Sequence, residues 1–73
     1  MRRYTVVLIP DTEVGGFTVQ VPALPGCFTE GDTVEEYLVN ARDVIGLFIE
    51  ELTARGEPIP EEDAPIQLAA VEV

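Results

Sequence analysis

The sequence contains no histidine, lysine, serine or tryptophan, and it has a single cysteine, Cys27. A Ser-His or Cys-His nucleophile pair, a lysine Schiff base and a His-containing zinc site all need residues that are absent. One cysteine forms no internal disulfide, and its apolar neighbour Phe28 indicates a small buried hydrophobe. We therefore predict that the chain is not an enzyme, holds no cofactor or metal, and resides in a reducing compartment.

Long hydrophobic runs and basic residues are also scarce. The apolar stretch 4–10 is too short for the core of a secretory signal, and nothing approaches the length of a membrane span. Acids outnumber bases by 14 to 4, which gives a net charge of -10. Such a charge repels nucleic acid and anionic membranes, so we expect a cytoplasmic protein with neither as a direct partner. Solubility alone would explain the acidity, but a basic protein partner would also be attracted by it.

One long helix is predicted over Thr33–Arg55, in a chain whose 73 residues suffice for a single domain, 1–73. Thr33 and Glu36 form a capping-box pattern at its start, and Gly56 provides the left-handed residue that ends it. Eight residues form one apolar stripe that we expect to face the core: Val34, Tyr37, Leu38, Ala41, Val44, Ile45, Phe48 and Leu52.

Two apolar residues of this helix lie outside the stripe. Val39 and Leu47 are rotated from Val34 by roughly 140° and 220°, where a monomer would normally place polar groups. We predict that both belong to a protein interface.

Four strands are predicted, at Arg3–Pro10, Phe17–Val21, Cys27–Glu30 and Ile66–Val73. The first is apolar on both faces, which is typical of a central strand. A strand that follows a helix favours a parallel position beside the first strand. The predicted fold is therefore α+β with the order β-β-β-α-β, a four-stranded mixed sheet ordered 3-2-1-4, and one helix on one face.

Two loop motifs have a structural explanation. Pro25 and Gly26 suit the two central positions of a type II turn, and Gly31 allows a tight approach between chain segments.

A single helix covers only one face of the sheet, so apolar groups remain on the other. We therefore expect a homo-oligomer, a dimer or higher, that hides this face together with Val39 and Leu47.

Several motifs extend over nearly the whole chain. They are Gly16-Phe17, the run Val21-Pro-Ala-Leu-Pro-Gly-Cys-Phe-Thr-Glu-Gly-Asp-Thr33, Glu35-Glu36, Asn40-Ala41, and 52–60 with Gly56 and Pro58. In these motifs the chain resembles the HicB family of antitoxins. The resemblance implies a partial ribonuclease H-like fold that binds and blocks HicA, a small basic ribonuclease toxin. Usual members continue into a DNA-binding segment, whereas this sequence ends at Val73, which implies a stand-alone short form without operator binding.

Two alternatives remain open. A degenerate ribonuclease H-like nuclease would need carboxylates that converge on one or two Mg²⁺ ions. The first strand supplies none, Asp11 lies beyond its end, and Glu35, Glu36 and Glu72 are equally expected on a solvated helix and a chain terminus. A structural homo-oligomer without a toxin partner would explain the surplus apolar residues but not the acidity.

Overall fold

Three short strands precede one long helix in the computed structural model, which describes residues 2–62 and 66–73. The elements are β1 (Val7–Pro10), β2 (Phe17–Gln20), β3 (Phe28–Gly31) and α1 (Val34–Ala54). This arrangement confirms the α+β class and the position of the helix.

The strands form an antiparallel meander in the order β1-β2-β3. Leu8 lies opposite Val19 in the first pair, and Val19 lies opposite Thr29 in the second. Beyond β1, the Asp11 amide donates a 3.0 Å hydrogen bond to the Gly16 carbonyl oxygen, which closes the first hairpin. The central strand is therefore β2, whose Val19 is completely buried beneath α1.

The start of α1 is held by side chains that satisfy free amides. Thr33 is the N-cap, and its Oγ1 accepts a 3.2 Å hydrogen bond from the Glu36 amide. Glu36 in turn accepts a 3.3 Å hydrogen bond from the Asp32 amide. The glutamate thus reaches one residue further back than in the usual reciprocal pair.

The end of α1 has the hydrogen bonds of a Schellman motif. Gly56 has a φ of 71°, its amide donates to the Thr53 carbonyl oxygen, and the Glu57 amide donates to that of Leu52 at 2.9 Å. The two bonds satisfy carbonyl groups that the last turn of a helix leaves free.

The core has two adjoining parts. In the first part, Tyr37 and Ala41 of α1 pack on Val19 of β2. Around Leu24, the loop after β2 folds inward and buries Val21 and Cys27. The burial of Cys27 was predicted and is confirmed. Partly buried residues that pack against the second part are Tyr4, Val6, Val44, Ile45 and Phe48.

The loop after β2, which carries the part of the core around Leu24, also contains the Pro25-Gly26 turn. The Cys27 amide donates a 2.9 Å hydrogen bond to the Leu24 carbonyl oxygen, and Gly26 has a φ of 85°. Since proline keeps φ near -65°, a positive φ only at the third residue defines a type II turn.

Gly31 lies directly beneath the first turn of α1. A Cβ atom there would stand 2.7 Å from the Tyr37 nitrogen and 2.8 Å from its Cα. The absence of a side chain at Gly31 therefore sets how closely the helix approaches β3.

The prediction for the first and last strands needs correction. The ladder of β1 starts at Val7 instead of Arg3, because the register would place Thr5 opposite Pro22, which has no amide to donate. Residues 66–73 form no strand, so β1 is an edge strand within the described residues and the order 3-2-1-4 is not observed. Strand propensity alone does not make a strand, since a ladder partner and packing must also be present.

The predicted core stripe of α1 is also wrong in part. Val34 and Leu38 are each more than half exposed, whereas Tyr37, Ala41 and Leu52 are buried. The reason is the lateral position of the helix, which packs mainly on β3, less on β2, and not on β1. One flank of the stripe therefore extends beyond the covered sheet.

Candidate protein-interaction surfaces

The first surface is the side of α1 that faces away from the sheet, which we call the outer helix face. It contains Val39 and Leu47, which are 60% and 65% exposed. They are separated by eight residues, or about 12 Å along a helix. Asp43 lies midway between them in sequence, four residues from each, and therefore on the same side.

Acidic side chains surround these two apolar residues. Glu36 and Glu50 fall within about 20° of Asp43 at 100° per residue. The bases of the helix region, Arg42 and Arg55, project elsewhere by the same rotation, and Arg55 is paired with Glu57 at 3.3 Å. The outer helix face therefore combines exposed apolar groups with negative charge.

The second surface is an acidic cleft of about 480 Å³ between the first hairpin loop and the start of α1. Among the described residues, no base lines this cleft. The acidic residues in its lining are Asp11, Glu30, Asp32 and Glu36.

The cleft carboxylates take part in local structure. Asp11 Oδ1 accepts hydrogen bonds from the Glu13 and Val14 amides at 2.9 and 3.2 Å. Nearby, Asn40 Nδ2 donates a 2.8 Å hydrogen bond to the Glu30 carbonyl oxygen. Across residues 2–62 and 66–73, no group of three or more acidic or cysteine side chains converges as a metal site would require. The arrangement is that of a turn and a helix cap on a negatively charged surface.

The third surface, the β1 edge surface, consists of the outer edge of β1 and the flank of α1 beside it. Because Asp11 bonds to Gly16, the alternation of an antiparallel ladder directs the amides of Val7 and Ile9 toward β2. The backbone groups of Leu8 then point outward. In the part of the chain that the structure describes, no strand pairs with them.

Apolar side chains border this free edge. Leu8 projects toward the helix side of the sheet, because its cross-strand partner Val19 does so, yet Leu8 remains partly exposed. Asn40 contacts β3, and Leu38 lies about 160° around the helix from Asn40, so Leu38 faces the β1 side. Val34 lies one turn before Leu38 on that flank. Leu8, Val34 and Leu38 thus form an uncovered apolar margin beside unpaired backbone.

The chain after the helix returns to the start of β1. Tyr4 Oη donates a 2.6 Å hydrogen bond to the Pro60 carbonyl oxygen. Glu62 accepts two hydrogen bonds from Thr5, from the amide at 2.8 Å and from the hydroxyl at 2.6 Å. These contacts hold residues 60–62 beside the segment that leads into the edge strand.

Beyond these contacts, residues 66–73 are largely exposed. Leu68 and Val71 are 76% and 82% exposed although both are large and apolar. Within the part of the chain that the structure describes, an unpaired strand edge and an unpaired apolar segment therefore occur together.

The singled-out residues do not form one site. Val39 and Leu47 lie on the outer helix face, while Thr33 and Glu36 cap the helix at the acidic cleft. Gly31 lies beneath the helix; the Pro25-Gly26 turn and Gly56 lie elsewhere in the fold. Leu8, Leu38 and Glu62 were not predicted to belong to a surface site, since periodicity does not reveal where a helix sits on its sheet, and Glu62 is one of several acids in its segment.

Comparison with known proteins identifies the family that this chain is similar to. Residues 4–72 match the model of the HicB-like antitoxins of bacterial toxin-antitoxin systems. A UPF0150 protein of Thermoplasma acidophilum is 47% identical over 62 residues, which cover 85% of this chain and 88% of the relative. A UPF0150 protein of Synechocystis is 43% identical over 60 residues, which cover 82% of this chain and 75% of the relative.

Among the described residues, α1 is too polar to count as a membrane-spanning helix. The family match extends over nearly all of the chain, including the three strands, the helix and the segment that returns to β1. The resemblance first noted in the loop and cap residues is therefore confirmed, and this chain belongs to the HicB-like antitoxin family.

Proposed function

We propose that this chain is a non-catalytic antitoxin that binds and blocks a small basic ribonuclease toxin of the HicA type. The family match over residues 4–72 is the observation that carries the proposal. The net charge of -10 supports it, because an RNA-cleaving protein needs a basic surface for its substrate, and an acidic protein competes for that surface.

We assign the toxin to the outer helix face. Val39 and Leu47 supply exposed apolar anchors. The acidic residues around them select a basic partner; they are Glu36, Asp43 and Glu50. Binding energy at protein interfaces is concentrated in a few such anchors, while surrounding charges increase the association rate and the specificity.

A purified HicA-type toxin tests the proposal. The chain is expected to co-elute with the toxin in gel filtration and to suppress its cleavage of RNA. Absence of both effects would overturn the proposal. Replacing both Val39 and Leu47 with Asp is expected to weaken binding at least about tenfold, a change of 1.4 kcal/mol.

A control variant shows whether this surface is the right one. Val14 is exposed in the loop between β1 and β2 and not beside Val39 or Leu47, so Val14→Asp adds one of the two charges of the double variant at a different apolar residue. This variant is expected to bind the toxin like the unmodified chain. Equal binding by the double Val39, Leu47 variant would exclude the outer helix face as the toxin site.

The non-catalytic part of the proposal has its own test. Glu36 already accepts a hydrogen bond from the Asp32 amide, which supports a structural role for this helix carboxylate. We expect no RNA cleavage by the chain alone with Mg²⁺ or Mn²⁺. Cleavage together with metal binding in a titration would restore the nuclease alternative.

The proposed functional form also differs from the single chain. We propose that the protein self-associates in the cytoplasm, where the RNA substrate of such a toxin is found. In this form residues 66–73 become the fourth strand beside β1, in the order 3-2-1-4. The uncovered Leu8 and Leu38 support this addition, since a strand at that edge would bury both.

A further inference from the structure

We propose that the fourth strand comes from a second copy: residues 66–73 of one chain add to the β1 edge surface of its partner, and the exchange is reciprocal. The inference rests on the self-association proposed above and names its surface. The occupant is a segment of this protein that is itself apolar and largely exposed, and that has no strand partner among residues 2–62 and 66–73 of the single chain.

The β1 edge surface and residues 66–73 are complementary. The outward backbone groups of Leu8 have no ladder partner among the described residues. Residues 66–73 contain the β-prone Ile66, Val71 and Val73. Extended chains bind exposed sheet edges through main-chain hydrogen bonds, and alternate side chains supply further burial. A strand added here would cover Leu8 on the sheet and Leu38 on the helix flank.

The geometry brings the segment to the correct place. Thr5 holds Glu62 at the start of β1, and Ile66 follows four residues later, within a reach of about 14 Å. Residues 66–73 therefore begin near the start of their own β1. In a neighbouring copy they would pair along the equivalent edge. Within one copy, the edge and Leu68 both remain exposed despite this proximity. A two-fold exchange would fill both edges with equivalent contacts.

Charge favours this surface for self-association over the outer helix face. Two outer helix faces related by a two-fold axis would bring Glu36, Asp43 and Glu50 of both copies together. By contrast, residues 66–73 contain one acid, Glu72, and the flank of α1 beside Leu38 carries the base Arg42. The exchange therefore leaves the outer helix face free for a toxin.

Light scattering combined with isotope-filtered NMR tests the exchange on the unmodified protein. The mass is expected to be at least twice the 8.0 kDa of one chain. In an equal mixture of ¹³C,¹⁵N-labelled and unlabelled protein, NOEs between residues 66–73 and Leu8 are expected between different copies. A monomeric mass at all concentrations would overturn both the exchange and the self-association.

The other outcomes separate the two proposals. An oligomer whose NOEs between 66–73 and β1 arise only within one chain would overturn the exchange and support a fourth strand in the same copy. An oligomer without such NOEs would overturn the exchange and leave self-association through another surface. Leu68→Asp and Val71→Asp are each expected to shift the mass toward the monomer, while Val14→Asp is not.

Discussion

Glu62 binds Thr5 with both carboxylate oxygens, Oε1 to the amide at 2.8 Å and Oε2 to the hydroxyl at 2.6 Å. The contact joins residues that are 57 positions apart and ties the chain after the helix to the start of the sheet. The hydrogen bonds from the Thr5 hydroxyl and amide hold the pKa of Glu62 below its ordinary value of 4.5.

This lowered pKa predicts a stability that depends on pH. A carboxyl whose pKa is lower in the folded state stabilises the protein above its unfolded pKa, and this contribution is lost as the pH falls through the folded value. Glu62→Gln should therefore lower the thermal unfolding midpoint at pH 7, and by less at pH 3. The neighbouring Glu61→Gln is the matched control, expected to have little effect at pH 7. An equal loss for Glu62→Gln at both pH values would contradict the prediction.

Gly31 and Gly46 should respond to alanine with opposite signs. At Gly31 the added Cβ would meet the backbone of Tyr37 at 2.7 Å, so Gly31→Ala should destabilise the fold by about 1–3 kcal/mol through overpacking. At Gly46, within the helix, an added Cβ would meet no neighbouring atom within 4 Å, so Gly46→Ala should stabilise the fold by about 0.5–1 kcal/mol. Urea denaturation of both variants checks the pair, and a neutral Gly31→Ala would show that the helix can move away from β3.

Gly56 should not tolerate a β-branched residue. Its φ of 71° lies in the left-handed region, where a residue with a Cβ is disfavoured by about 1–2 kcal/mol. Gly56→Val should therefore destabilise by about 1 kcal/mol or more and lower the melting temperature. An unchanged melting temperature would mean that the helix ends equally well without this conformation.

Cys27 should react slowly with thiol reagents in the native protein. Its side chain is buried, and burial raises the pKa of the thiol, so less of the reactive thiolate is present at neutral pH. Labelling followed by mass spectrometry should be slow in buffer and fast in denaturant. Rapid native labelling would indicate that the loop over Leu24 opens readily.

Salt should affect the two proposed interactions in opposite directions. The toxin contact relies on opposite charges, which are screened beyond about 8 Å at physiological ionic strength, so its affinity should fall as salt increases. Self-association instead buries apolar groups against the repulsion of a net charge of -10, so added salt should strengthen it. Titrations at about 50 mM and about 500 mM NaCl measure the affinity for the toxin and the self-association constant. A self-association that weakened with salt would point to an electrostatic interface.

The local structure could be predicted where nearby residues supply the physical cause. The Thr33 cap, the periodicity of α1 and the residues around Gly56 define a helix without any distant contact. The burial of Cys27 follows from its apolar surroundings. Val39 and Leu47 depart from the helical period and are exposed as that departure predicts, while their place in a protein interface stays a prediction.

The lateral position of the helix was decided only by tertiary packing. Val34 and Leu38 share the period of Tyr37 and Ala41, yet they remain exposed because α1 packs on β3 and β2 and extends past the covered sheet. Periodicity defines a face of a helix, but not the strand on which that face rests.

By itself the sequence determined the helix, the hairpins, the acidity and the family, because caps, turn residues, charge and motifs are properties of neighbouring residues. The tertiary structure alone decided that, among the described residues, β1 is an edge and 66–73 have no ladder. It also decided that Thr5 holds Glu62. A strand exists only through its partner, so an apolar run such as 66–73 specifies the propensity to pair but not the chain that completes the sheet.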